Sequence, residues 1–278
     1  MSQGSRYITG IEAKPEFFRL EERSEFDPAL AMDVLHGRNL GVIFRDVIPE
    51  DAQKESVERF WSSPARRHRE GEPSHIIGSY HWNKSTQTYL TETAEIADAV
   101  WDVLDVPNSP WHSFRSGLAD ELAREGAKLR IAEHQGAQAC PALIRAWDKE
   151  GSFALEPHED EAQCRDPRQA GFEIQNAPDH EVCAVNMCVE HGEGGRLVIW
   201  NIRPDVDTRQ RLGIEHTGFS YPGESLTEFE ELRIDVRQGD LYVFNGAFVH
   251  AVDKTTGNRT NVSFLMGFVD DHTVVSWT

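Results

Sequence analysis

The four cysteines form no CxxC pair, no run of eighteen apolar residues occurs, and basic residues are scarce, with 28 Lys and Arg against 47 Asp and Glu. Each shortage excludes something. Without CxxC spacing, Cys140, Cys164, Cys183 and Cys188 are assigned no chemistry, and Cys183 and Cys188 read as reduced thiols in an apolar stretch. Without a long apolar run, no helix spans a bilayer. A formal charge of -19 repels phosphate backbones and anionic headgroups, so nucleic acid and membrane surfaces are poor partners and a small molecule is the better one. The opening MSQGSRYITG has no basic-then-apolar signal segment, which leads to a cytoplasmic expectation.

What is present is a change of grammar along the chain. The first part reads as a mostly helical scaffold with a few strands: a helix after Pro28, the strand-like GVIFRDVI at 41–48, a helix from Glu50 to Trp61, and amphipathic helices at 93–105 and 114–126. From about Ala142 the pattern becomes short β-like runs broken by Gly, Pro, Asn and Asp: ALIRAW, SFALEPH, EVCAVNMCVE, GRLVIWN, LRIDVRQ, DLYVFNGAFVHAV and NVSFLMGFV. That many runs make a sandwich or barrel. PDVDTRQRLG at 204–213 reads as a short linking helix, and GEGG at 192–195 as a tight turn. With no internal repeat or low-complexity tract, one domain over 1–278 is expected, with residues 1–139 as scaffold and 140–278 carrying the core and site.

The chemistry concentrates in three places. His158 and Asp160 are two apart at the end of a predicted strand, where alternate residues project to one side and so reach one metal. His250, near the end of the run DLYVFNGAFVHAV, is the natural third ligand. Two histidines and a carboxylate leave positions open on an octahedral ion, which suits Fe(II), although zinc hydrolases use a similar set. Arg259, nine residues after His250, separates these readings. Alone it reads as a surface hairpin arginine. Beside a metal, it is placed to grip a carboxylate through two parallel hydrogen bonds, with Thr260 or Ser263 assisting. Arg145, between apolar neighbours, must snorkel or meet an anion. Arg165 and Arg168 lie in a polar loop after the HED motif, where they are candidates for holding a substrate carboxylate. Glu159 should point away from the metal. Trp147, Phe153, Trp200 and Phe248 read as core rather than site.

HED, GEGGRLVIWN, GDLYVFNGAFVHAV, GNRT and FLMGF together resemble the 2-oxoglutarate/Fe(II)-dependent oxygenases over roughly residues 140–278. The closing stretch is similar to the bacterial group that contains N-acyl amino acid hydroxylases and carrier-independent alkaloid halogenases. The resemblance implies a mixed α+β chain with a double-stranded β-helix (jelly-roll, cupin-like) core. It also implies His158, Asp160 and His250 on Fe(II), Arg259 on 2-oxoglutarate, and O2 as second cosubstrate. The reaction it implies is hydroxylation of an unactivated carbon of an amino acid derivative or natural-product intermediate, with succinate and CO2 as coproducts. Halogenases of the group replace the carboxylate ligand by glycine or alanine, so Asp160 points to hydroxylation, with desaturation or cyclisation as related outcomes. A non-catalytic cupin-like binding protein and a zinc hydrolase are the alternatives.

Overall fold

The computed structural model describes residues 7–68, 74–147 and 153–278. Two sheets face each other across the site, and helices cover the outer side of the larger one. The larger, ten-stranded sheet runs in the order Leu20–Arg23, Gly41–Phe44, Leu241–Asn245, Cys183–Gly194, Thr255–Asp270, Leu143–Trp147, Ser74–Ile77 and Arg67–His68, with Thr273–Trp277 branching from the long Thr255–Asp270 strand and Lys128–Ile131 pairing with Thr273–Trp277. The smaller sheet is Phe153–His158, His250–Asp253, Leu197–Trp200 and Glu231–Ile234.

Alternation decides what each face of the large sheet does. In Leu241–Asn245, Val243 joins the core under the helices, while Tyr242 and Phe244 turn inward. In Thr255–Asp270, Asn261 and Ser263 line the inner cavity, whereas Val262 packs outward. The outer core is closed by Val34, Phe60, Val103 and Leu118 from the helices Pro28–Leu35, Glu50–Ser62, Thr86–Leu104 and Pro110–Arg124.

Several boundaries differ from the sequence reading, each for a local reason. The third helix begins at Thr86, not 93, because the Ser85 hydroxyl accepts the Thr88 N–H and starts the helix in polar sequence before the apolar stripe. The fourth starts at Pro110 behind the Ser109 cap. The strand at 41 ends at Phe44, since the chain turns at Asp46 with φ of 53°. DLYVFNGAFVHAV is two strands in different sheets, Leu241–Asn245 and His250–Asp253, parted by the turn at Gly246. GEGG is not wholly a turn: the Cys183–Gly194 strand runs through its first three residues, and the positive φ falls at Gly194 and Gly195. The linking helix is present as Val206–Leu212, capped by Asp205 and closed by left-handed Gly213. Ser152, the first residue of SFALEPH, lies outside the described residues.

Candidate metal centre and cavity

The Phe153–His158 strand pairs with His250–Asp253 so that His158 lies opposite His250, with ring centroids 4.2 Å apart. Asp160 is beyond the strand end, so pleating does not place it. Its N–H donates to the Gly246 carbonyl at 2.8 Å, and its Oδ1 accepts from Gln163 Nε2 at 2.9 Å. That leaves Oδ2 facing His250 Nε2 at 3.4 Å. A Cβ on Gly246 would stand 2.7 Å from Oδ2, so glycine is what admits the carboxylate.

Both histidines are set in the ligand tautomer. His158 Nδ1 lies 2.8 Å from the Glu156 carbonyl and His250 Nδ1 lies 2.9 Å from that of Phe248; a carbonyl only accepts, so each Nδ1 carries hydrogen and each Nε2 keeps its lone pair. One ligand atom from each of His158, Asp160 and His250 lies within 4.8 Å of the others, and this is the one such cluster among the described residues. Burial holds His250 neutral, with a pKa down at about 4. Burial also pushes Asp160 up to about 7, against the pull of Arg145. Two neutral imidazole nitrogens with one carboxylate oxygen fit a divalent metal with open positions.

The ligands open onto a cavity of about 160 Å³ between the sheets. One buried water needs ~10–15 Å³, so this space suits small molecules and not a folded macromolecule. Its cationic end is built from Arg145, Tyr242, Asn261 and Ser263. Arg259 is one layer deeper and fully buried, which removes the surface-hairpin alternative. Its Nη2 donates to the Tyr242 hydroxyl at 2.9 Å, while Nε and Nη1 have no hydrogen-bond partner. Asn261 Nδ2 donates to the same oxygen at 3.1 Å. Tyr242 thus accepts twice, and its own hydrogen is left to donate to an acceptor elsewhere. Arg145 and Arg259 both lie over the Trp147 ring, with Cζ 4.3 and 5.3 Å from its centroid. Gly195 makes room for this: a Cβ there would stand 3.0 Å from Arg259 Cδ.

Other candidates lie elsewhere. Thr260 follows Arg259 in the strand, so it turns to the opposite face and donates to Glu190 Oε2 at 2.6 Å. It does not assist a ligand in the cavity. Ser263 does line the cavity, and donates to the Leu143 carbonyl at 3.1 Å. Arg165 and Arg168 are not among the lining residues. Arg165 turns toward the Pro178 carbonyl and Asp179, and Arg168 is held by Asp166 and Asn83. Their loop is folded into short 3-10 turns in which Asp166 takes up the Arg168 guanidinium and Arg165 stays exposed. Sequence reasoning passed over Tyr242 and Asn261 as strand residues; Trp147, read as core, does sit in a core cluster and lines the cavity as well, and the signal for Asn261 and Trp147 was inward parity with Arg259 and Arg145. Phe153 and Trp200 do pack together in a core cluster, and Phe248 in another.

Comparison with known proteins agrees with this geometry. The model of the carrier-protein-independent halogenase WelO5 family matches residues 23–278. The chain belongs to this family. An L-isoleucine 3(1)-dioxygenase of Pantoea ananatis (strain AJ13355) is 33% identical over 207 residues, which is 73% of this chain and 69% of that protein. An N-substituted L-amino acid dioxygenase from Burkholderia ambifaria AMMD superposes with a TM-score of 0.61 at 12% identity, over 90% of this chain and 91% of that one. Its complex with α-ketoglutarate gives a TM-score of 0.60, also at 12% identity, with 90% of each chain covered. The expected membership of the 2-oxoglutarate/Fe(II) oxygenases is met at family level. Among the described residues, no helix is long and apolar enough to cross a membrane.

Proposed function

We propose that this WelO5-family member is an Fe(II)- and 2-oxoglutarate-dependent dioxygenase that hydroxylates an unactivated C–H bond of a small amino acid derivative. The observation that carries the reading is one cavity lined at one side by His158, Asp160 and His250 and at the other by Arg145 and Trp147, with Arg259 behind them. The two facing sheets support a double-stranded β-helix core, and the chain is read as one oxygenase domain over 1–278. Four free, buried cysteines support a reducing compartment such as the cytosol.

His158, Asp160 and His250 would hold the iron. When bound with 2-oxoglutarate and O2, that centre supplies the oxidising power: 2-oxoglutarate becomes succinate and CO2 while a substrate C–H becomes C–OH. The chain's own groups bind and orient. Arg145, Tyr242 and Asn261, backed by Arg259, receive the cosubstrate's far carboxylate with charge and hydrogen bonds in a dry environment. Ser263 borders the same end. Gln163 fixes one Asp160 oxygen so that the other faces the metal. Asp160 also argues for oxygen over halogen chemistry within this family, because its carboxylate fills the position a halide needs.

The substrate class follows the two named relatives, which act on isoleucine and on N-substituted amino acids. The test is succinate release from 2-oxoglutarate with Fe(II) in air across L-amino acids and their N-acyl forms. Stimulation of succinate release, with a product 16 mass units heavier, is expected. Conversion that continues without O2 would instead indicate a hydrolase.

A further inference from the structure

Glu159, between the two ligands of the HED motif, is fully buried and turned away from the cavity, yet it is the best-connected side chain of the ligand turn. Its Oε2 accepts the N–H groups of Glu161 at 2.7 Å and Ala162 at 3.0 Å. Its Oε1 lies 3.1 Å from Arg209 Nε and accepts from the Tyr221 hydroxyl at 3.4 Å. Arg209 Nη1 is 3.5 Å from Glu161, whose other oxygen is 2.8 Å from Arg203. Arg203 continues to Glu181 at 3.2 Å, and Glu181 accepts from Asn245 Nδ2 at 2.7 Å. Asn245 precedes Gly246, whose carbonyl holds the Asp160 N–H. The chain of contacts therefore leaves the ligand turn at Glu159 and returns to it on the other side of Asp160.

We infer that Glu159 and Arg209 are positioning residues for the metal site, fixing the turn so that the Asp160 oxygen and the two imidazoles converge. This rests on the reading that His158, Asp160 and His250 hold iron. Glu159, Glu161 and Arg209 are buried and Arg203 and Glu181 half-buried, and ion pairs withdrawn from water in this way are a poor device for stability alone, since apolar side chains of like volume serve that end as well or better. Their directional contacts all bear on one turn and on the Asn245–Gly246 corner that flanks it. The linking helix Val206–Leu212, which carries Arg209, thereby acts on a site it does not touch.

The test is anaerobic Fe(II) titration of Arg209→Met, Arg209→Lys and Glu159→Gln, with the visible band of the Fe(II)–2-oxoglutarate complex as a second readout and a thermal melt of each metal-free protein. Glu159→Gln keeps an acceptor for the backbone N–H groups but loses the charge and the acceptor that faces Arg209 and Tyr221, so it decides the matter if Arg209→Met does not fold. We expect a rise of tenfold or more in the Fe(II) Kd and a shifted band in Arg209→Met, a smaller rise in Glu159→Gln, and recovery toward the wild-type Kd in Arg209→Lys. Folded variants that bind Fe(II) as the wild type does, with an unchanged band, overturn the inference, as does failure of all three to fold with metal added, which would make the network the fold's own. Absence of Fe(II) binding in the wild type is a different result and sinks the metal reading itself.

Discussion

Asp160 is fixed by two contacts, its N–H on the Gly246 carbonyl and its Oδ1 on Gln163 Nε2, which leave Oδ2 3.4 Å from His250 Nε2 on the side where a cation would sit. Replacing it by alanine removes the one anionic ligand, so Asp160→Ala should lose hydroxylation on the order of a hundredfold or more, read as product per enzyme under saturating Fe(II). Undiminished product would remove Asp160 from the site. Arg259 stands at the other end. It is fully buried behind the cavity's cationic end with no hydrogen-bond partner at Nε or Nη1, and under the proposed function it acts on the cosubstrate carboxylate through Tyr242, to which its Nη2 donates. Arg259→Met should raise the 2-oxoglutarate Kd by on the order of a hundredfold, about 3 kcal/mol, with Fe(II) binding retained. Calorimetry with metal present checks this, and an equal loss of metal binding would place Arg259 in the centre itself or in its folding.

Among elements, the turn between Leu241–Asn245 and His250–Asp253 has most influence on the site. It switches the chain from one sheet to the other, brings His250 opposite His158, and passes Gly246 close enough to Asp160 that no side chain fits. Gly246→Ala should therefore weaken Fe(II) binding on the order of tenfold by displacing Oδ2, with a stability loss of about 1–3 kcal/mol from overpacking. An unchanged Fe(II) titration would show that the carboxylate has room to move. The same turn shows where the sequence was legible and where it was not. The His158–Asp160 spacing and the alternating strands stood out because both are local in sequence, although it is the Gly246 contact and not the pleat that places Asp160. The break inside DLYVFNGAFVHAV was missed because an apolar run reads alike whether it continues in one sheet or crosses to another. Tyr242 was missed for a related reason: its role depends on which strand lies beside it. Arg168 was misplaced because Asp166 was read as loop polarity instead of as a competitor for the guanidinium, and Arg165 because Pro178, whose carbonyl it meets, lies beyond that loop.

At the scale of the molecule, helices on one side and a cavity on the other make the large sheet a shared wall, and polar groups behind the wall bear on stability. His81 is buried, with Nδ1 3.0 Å from Gln169 Oε1, and burial holds its pKa down at about 4. Because the folded value lies below the unfolded ~6.5, the unfolded chain binds the extra proton first. Its contribution is intact above about pH 6.5 and is lost as pH falls toward 4, by about 3 kcal/mol in all. Denaturant melts of wild type and His81→Asn between pH 7 and 4.5 should converge as the pH falls, the asparagine form losing less; parallel curves would contradict the assignment.

The whole account depends on one cavity binding metal and 2-oxoglutarate together. The most direct measurement is anaerobic addition of Fe(II) and then 2-oxoglutarate to the apoprotein, watched in the visible spectrum. A weak charge-transfer band that needs both additions, is absent in Asp160→Ala and requires far more 2-oxoglutarate in Arg259→Met is the predicted result. Fe(II) bound at the triad with no band at any 2-oxoglutarate concentration would contradict it.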